Sequence, residues 1–343
     1  MNTIKHTIFI FTLFIAWGCR NPDVAQNKDN SFTAVFYNVE NLYDNYDDPL
    51  IDDSEYLPQS EKKWDEEKYR KKLNDLARVL SRINREELPE IIGLCEVENE
   101  TVVDDLAKTA ALKKGRYKIV HYNSPDARGI DVALIYRPDE FAVVSHRAIP
   151  VTLPGRKRPT TRDILYVAGK MTNGEMLHVF INHWPSRTEG MLQSEPNRIA
   201  AANVLKHVTD SLLQKNSDTK ILIMGDMNDA PDNKSLRETL AAAHPDERQH
   251  PCLVNLMYPA HRRGEGSYNY RGSWDMLDNI IVSSALFDDK GFHIEGGEGF
   301  VFSEKWMTYT NQQGQDVPNR TYAGPRYIGG ISDHFPVYCR LTR

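Results

Sequence analysis

Cysteine is scarce in this chain, with 4 in 343 residues, so no disulfide framework organises it. The 20 glycines exclude a collagen-like repeat, and a hydrophobic fraction of 40% excludes a disordered chain. Neither sign of charge dominates, because 48 Asp plus Glu against 42 Lys plus Arg leaves a formal −6. That balance argues against a protein that coats nucleic acid through a dense field of Lys and Arg. It leaves open an enzyme that meets phosphate locally, through a metal and a few arginines. Repeats and low-complexity blocks are absent, and the one extended apolar run, Ile8 to Trp17, is too short to span a bilayer.

That run follows Lys5 and closes at Ala16-Trp17-Gly18-Cys19, so residues 1–18 read as an export signal. Gly18 just before Cys19 resembles the lipobox of bacterial lipoproteins, whose cysteine is lipidated after cleavage; an ordinary cleaved signal is the alternative. Residues 19–31, polar and without apolar periodicity, read as a tether, and 32–343 as one folded domain. The expectation is an exported, monomeric protein of the cell envelope, periplasmic or anchored to the outer membrane through the lipid on Cys19. Of the other cysteines, Cys95 and Cys339 fall in apolar runs and read as buried thiols, with Cys252 the third.

Strand patterns cover Phe32 to Val39, Glu90 to Val97, Tyr117 to Tyr122, Ile130 to Arg137, Phe141 to Val151, Ile164 to Met171, Met176 to His183, Lys220 to Asp226, Met276 to Val282 and Phe335 to Leu341. Helix patterns cover Glu66 to Asn84, Val102 to Leu112, Pro196 to Gln214 and Lys234 to Ala242. In the first, Tyr69, Leu73, Leu76, Ala77, Leu80 and Ile83 form one apolar face. Adjacent strands from 117 to 183 favour antiparallel pairing, whereas the strand-helix-strand segments at 32–97 and 176–226 favour crossovers. Two mixed sheets covered by helices satisfy both, and Ala243 to Ser273, rich in Pro and Gly, reads as a functional loop.

Polar residues recur where apolar strands end: YNVEN at 37–41, GLCEVEN at 93–99, INHWPSR at 181–187, GDMND at 225–229, WDMLDNIIVS at 274–283 and ISDHFPV at 331–337. A strand that finishes in an acid or amide projects it over the sheet edge, where α/β proteins bind ligands. Each alone has an ordinary structural reading as a helix cap, turn residue or satisfied histidine. Six together point to one site.

In order and spacing these motifs resemble the endonuclease/exonuclease/phosphatase superfamily, the DNase I-like fold, and within it a bacterial lipoprotein branch. The resemblance covers about residues 32 to 343 and rests most on SDHFPV with GDMN. It implies a four-layer α/β (α+β) sandwich, with two packed mixed sheets flanked by helices, and metal-assisted phosphoester hydrolysis by in-line attack of water. It further implies Glu96, Asn38 and Asp333 as metal residues for Mg²⁺, with Mn²⁺ as a substitute, a hard-ion site of few carboxylates and several waters. Asp226 and Asn228 would position the water and a phosphate oxygen. His334, oriented by Asp278, would contact the scissile phosphate, and His183 would donate to developing charge.

Asp131 carries two readings, partner of the second histidine or a strand-start turn residue. Glu98, where DNase I-like members often carry a basic residue, puts a duplex-DNA groove contact in doubt; Glu40 and Asp229 read as turn or supporting residues. Arg187, beside NHWPS, is the expected substrate cation, and Arg156, Lys157, Arg158 and Arg162 are a phosphate grip or a solvated loop. Trp184 stacks on a base or belongs to the core.

The expected activity is that of a phosphodiesterase or nuclease, with phosphomonoesters and phospholipid head groups as alternative substrates. GDMND also satisfies the GD-x-x-D pattern of calcineurin-like phosphatases, but that family opens with Asp-x-His and places its GNH motif after GD, whereas here Asn38-Val39-Glu40 ends the first strand and Asn182-His183 precedes GD. A non-catalytic lipoprotein of the same fold is a further alternative, opposed by the complete residue set. If Cys19 is lipidated, Cys19→Ser releases the protein from the membrane fraction; retention through alkaline washing would exclude lipid anchoring.

Overall fold

The computed structural model describes residues 31–84 and 87–343; the export signal, Cys19 and the tether up to residue 30 lie outside them. Along β1 (Ser31–Leu42), Phe32, Ala34 and Phe36 face one way and Val35, Tyr37 and Val39 the other, and all six are buried. A strand apolar on both faces must sit between two layers. The first set joins Val179, Ile181, Leu222 and Met224 of a second sheet in one core, and the second set packs against Leu73, Leu76 and Leu80 of α1 (Glu66–Ile83).

Sheet one orders the strand His293–Ile294, the C-terminal strand Val337–Thr342, β1, β2 (Ile91–Val97), β4 (Asp131–Tyr136) and β3 (Lys118–His121). Sheet two orders β5 (Phe141–Ile149), β6 (Ile164–Met171), β7 (Met176–His183), β8 (Lys220–Asp226), then Asp278–Ser283, Leu253–Asn255 and Ala242–Ala243. β1 with β2 and β7 with β8 are parallel, joined by crossovers through α1 and α3 (Met191–Lys215). The result is the expected sandwich, with α1 and α2 (Glu100–Ala107) outside sheet one and α3 outside sheet two. Ser31 pairs with Thr342 at one end of β1, while the polar motifs gather at the other.

Three elements differ from the sequence pattern. α3 begins at Met191, ahead of Pro196, because Arg198 donates to Met191 O and Ser194 Oγ and ties down that first stretch. Lys234 to Ala242 holds one π-turn, Ser235–Thr239, closed by Leu240 N to Ser235 O at 2.9 Å. The presumed loop 243–273 contains a sheet strand, Leu253–Asn255, too short for periodicity to betray. Cys95 and Cys339 are buried free thiols, as expected. Among the described residues, no helix is long and apolar enough to cross a membrane.

Gly225 is fixed by packing, since a Cβ there would stand 2.6 Å from the carbonyl oxygen of Asn182 on the neighbouring strand. Gly225→Ala should therefore destabilise the fold by about 1–3 kcal/mol, read as a lower denaturant midpoint. An unchanged midpoint would mean that the two strands separate at no cost.

Candidate active site

β7 and β8 pair with His183 beside Asp226, and the antiparallel strand Asp278–Ser283 sets Asp278 opposite Asp226. The three side chains form one row. It lies on the inner face, because Ile181, Met224 and Ile280, two residues away along each strand, belong to the core between the sheets. Asn38 continues the inward series of β1 in the same way.

Glu96 departs from this alternation. Ile92 and Leu94 of β2 pack toward the helices, so strict alternation would send Glu96 there too. A bulge intervenes: the β1–β2 register slips between Asn38 and Leu42, β2–β4 slips between Cys95 and Val97, and Glu96 has φ +62°. That conformation costs a non-glycine residue about 1–2 kcal/mol and re-aims its side chain into the cleft. There Glu96 Oε2 accepts from Asn41 N at 3.0 Å, and Oε1 lies 3.4 Å from Asn38 Nδ2 and 3.8 Å from His183 Nε2. Asn38 Nδ2 also donates to Asp226 Oδ2 at 3.0 Å and so bridges two carboxylates.

His334 comes from the loop before the last strand. Its Nδ1 meets Asp278 Oδ2 at 2.6 Å, its Nε2 is 3.9 Å from Asp226 Oδ2, and its ring packs against Tyr268 with centroids 4.8 Å apart. Burial disfavours its charge, but the Asp278, Asp226 and Asp333 carboxylates outweigh that and hold His334 well above the usual imidazole range. His183 is pushed the other way by burial and by Arg162, Arg128 and His334. Its Nε2 is also 3.8 Å from Asp226 Oδ2, and its Nδ1 is buried without a hydrogen-bond partner. Burial, with Asp278 adding repulsion, raises Asp226 to about 7 against the pull of His334. Asn228 N fixes Asp226 Oδ1 at 2.9 Å, and Asn228 Nδ2 donates to Trp184 O at 3.0 Å.

Several expected roles are placed elsewhere. Asp131 accepts from Ser124 N at 2.8 Å and meets His121 Nε2 at 3.0 Å, so its partner is His121 and not His183. The alternation of β4 explains this, since Val132 and Leu134 face the inner core and Asp131 points the other way. Arg187 is spent on Asn228 O (2.6 Å), Asn233 Oδ1 (3.0 Å), Asp229 Oδ1 (3.3 Å) and Asp275 Oδ2 (3.4 Å), bracing the GDMND loop instead of reaching outward. Arg162 donates to the carbonyls of His183 and Trp184 and to Asp126. Trp184 is core, with its Nε1 on Asn182 Oδ1. Glu98 is buried, accepts from Asp44 N at 2.8 Å and is pushed up to about 8 by burial.

Sequence reasoning missed the support beneath Asp333. Lys72, fully buried on α1, donates to Glu40 O (2.8 Å), Thr321 Oγ1 (2.7 Å) and Ile331 O (2.8 Å), tying β1 to the segment that carries Asp333 and His334. Arg320 Nη2 reaches Asp333 Oδ2 at 2.5 Å, and its Nε is 3.8 Å from Glu40. The signal was present in sequence: Lys72 lies within the apolar stripe Tyr69, Leu73, Leu76, where a lysine must be buried. Asp229, read as a turn or supporting residue, takes the supporting role, held by Arg187, by Arg198 Nε at 2.8 Å and by Ser235 Oγ at 2.6 Å.

The donors suit a hard divalent cation. Glu96 and Asp226 carry no Lys or Arg partner among the described residues, and Asn38 orients both, so carboxylate oxygens concentrate with histidines alone in ion-pair range. The tightest group, Asp226, Asp278 and His334, brings ligand atoms within 4.8 Å. In it, however, Asp278 and His334 spend their facing atoms on each other. The Glu96 and Asn38 side is the better fit.

Comparison with solved structures shows the same fold. A Bacteroides thetaiotaomicron mannosyl-6-phosphatase aligns with TM-score 0.57 at 16% identity, over 91% of this chain and all of that one (100%). D. rerio TDP2 with a single-strand DNA product gives 0.56 at 14%, covering 92% and 100%. The human Nocturnin catalytic domain with bound sulfate gives 0.56 at 16%, covering 91% and 94%. No curated protein sequence matches. The family model described as Endonuclease/Exonuclease/phosphatase family matches residues 33–343, and with the strand-end cluster this places the chain in the endonuclease/exonuclease/phosphatase family.

Proposed function

We propose that the protein is a divalent-metal-dependent phosphoester hydrolase in which water attacks phosphorus in line. The observation that carries this is the row His183, Asp226 and Asp278, completed by the 2.6 Å His334–Asp278 pair and by Glu96 turned into the same cleft. Mg²⁺, held by Glu96 and Asn38 with Asp333 nearby, would supply positive charge to the phosphoryl and leaving oxygens. Asp226, with one oxygen fixed by Asn228 N, orients the water and accepts its proton as the new P–O bond forms. The ester P–O bond breaks, and the departing alkoxide takes up a proton to leave as the alcohol. His334 presents Nε2 toward this space with Asp278 fixing its ring, and His183 presents its own Nε2 from the other side. Arg187 and Arg162 are turned inward, so neither reaches out to track a long nucleic acid, which supports small phosphodiesters or phosphomonoesters as substrates. We also propose that the mature chain is an exported monomer held in the envelope through Cys19, on the strength of the sequence signal alone.

Hydrolysis of bis-nitrophenyl or nitrophenyl phosphate should vanish in EDTA and return with Mg²⁺; full activity after exhaustive chelation would rule out the metal. Glu96→Gln should require more Mg²⁺ for half-maximal activity while leaving the melting temperature nearly unchanged, and wild-type behaviour at limiting Mg²⁺ would remove Glu96 from the site. His334→Ala should lower kcat by about 10² or more with little change in KM. Asp278→Asn should reproduce much of that loss, and the double variant should cost far less than the product of the singles. Additive losses, or melting shifts with native kcat per folded molecule, would dissolve the pair.

A further inference from the structure

Sheet one ends at the strand His293–Ile294 and sheet two at Ala242–Ala243, and the chain that follows each of these strands lines one cavity of about 650 Å³. None of Asn38, Glu96, His183, Asp226, Asp278 and His334 lines it, so it is separate from the catalytic acids. Part of its wall is apolar, formed by Pro245, Pro259, Phe287 and Ile294. The rest carries donors.

His244 is only 6% exposed, and it lines the cavity. Its Nδ1 accepts from Asp246 N at 3.1 Å, which leaves the ring proton on Nε2. That N–H meets no acceptor among the described residues and is not enclosed by protein, so it opens to the cavity. Arg248 is held from two sides: Nη1 donates to Pro245 O at 2.9 Å, and the guanidinium lies over the Phe287 ring, 4.9 Å from its centroid. Its other N–H groups have no partner among the described residues. Arg262, the last residue of α4 (Tyr258–Arg262), makes neither a hydrogen bond nor an ion pair among them.

The acids are counted by the same rule. Glu298 pairs with Arg263 at 2.9 Å, and that arginine also holds Glu265, outside the lining, at 2.6 Å. Glu247, next to Arg248, is taken by Arg237. Asp246 keeps an unmatched carboxylate, but its side chain is 87% exposed and turned to solvent. In the lining as a whole, three guanidiniums therefore face two carboxylates, and the donors without acceptors are Arg248, Arg262 and His244 Nε2.

A guanidinium fork matches the oxygens of a phosphate or carboxylate, and three donor groups around one space suit a tetrahedral oxyanion better than a planar one. We propose that this cavity is a second anion site that takes a phosphate group, either free or carried on a small apolar body resting against Pro259 and Ile294. The proposal does not depend on the phosphoester-hydrolase reading, because binding here involves none of the catalytic acids.

The test titrates the full chain in EDTA with inorganic phosphate and follows phosphorus NMR line broadening; without a cation, the carboxylates of the catalytic cleft repel the anion. The expected result is saturable broadening that weakens as salt rises. Arg248→Ala and Arg262→Ala should each weaken binding about tenfold, as expected for a lost charge-assisted pair. Arg262→Ala should leave the melting temperature and nitrophenyl phosphate hydrolysis in Mg²⁺ unchanged. His244→Phe, which keeps a ring but loses the N–H, should weaken binding as well, and the exposed Arg262 carries the test if that variant folds poorly. Phenylphosphonate, whose C–P bond resists hydrolysis, separates the two sources: binding about tenfold tighter than phosphate assigns an ester with an apolar body, and equal binding assigns free phosphate. No broadening up to about 10 mM phosphate, or broadening that both arginine variants leave at wild-type strength, removes the site. Broadening that needs Mg²⁺ and is lost in Glu96→Gln places the phosphate at the catalytic acids and overturns the inference too.

Discussion

Backbone hydrogen bonds between three adjacent strands hold His183, Asp226 and Asp278 side by side, and the rest of the site is arranged around that row. A slip of one residue in either pairing would turn a member of the row to the opposite face. The sequence guards the register at several points: Gly225 allows the close approach of β7 and β8, and Trp184 N donates to Asp226 O at 2.9 Å just past their last pair. Arg187 and Arg198 clamp Asp229 on the turn that follows. The glutamate side of the cleft is built by the opposite device. There the ladder is broken, and the bulge at Glu96 brings a carboxylate from the helix-facing side to the inner one.

Electrostatically the two halves of the cleft differ. Around Asp333 and Glu40 the negative charge is balanced by a buried lysine and a guanidinium, although burial and Asp333 still raise Glu40 to about 7. Burial in turn pulls the Lys72 ammonium below its usual range, with Glu40 opposing. Around Glu96 and Asp226 the described residues in ion-pair range are His183 and His334, and burial together with Arg162 and Arg128 disfavours the charged form of His183. Such an excess of hard oxygen donors in a low-dielectric cleft is stable only with a cation or a proton to share. The protein concentrates that demand at the place where strand ends converge.

The layers were legible because each rests on long apolar repeats: period two on both faces of β1, and period three to four along α1. The cluster Asn38, Glu96, His183, Asp226, Asp278 and His334 was legible because each follows or begins a strong strand. What escaped was orientation. Asp131 and Glu96 both stand at strand ends, and nothing in the residue types says that a bulge turns one inward while plain alternation turns the other outward. The arginines escaped for a related reason. Arg187 and Arg320 are equally polar in sequence, yet the carbonyl and carboxylates facing Arg187 come from residues 41 to 88 positions away, visible only once the chain is folded.

β1 enters the sandwich at Ser31, where it pairs with Thr342, and reaches Asn38 only after crossing most of the sheet. Both ends of the folded chain therefore sit at the pole away from the cleft. A handle fused at either end, or a bead, an acyl chain or a neighbouring domain attached there, would hold the molecule by its base with the mouth turned to the surrounding medium.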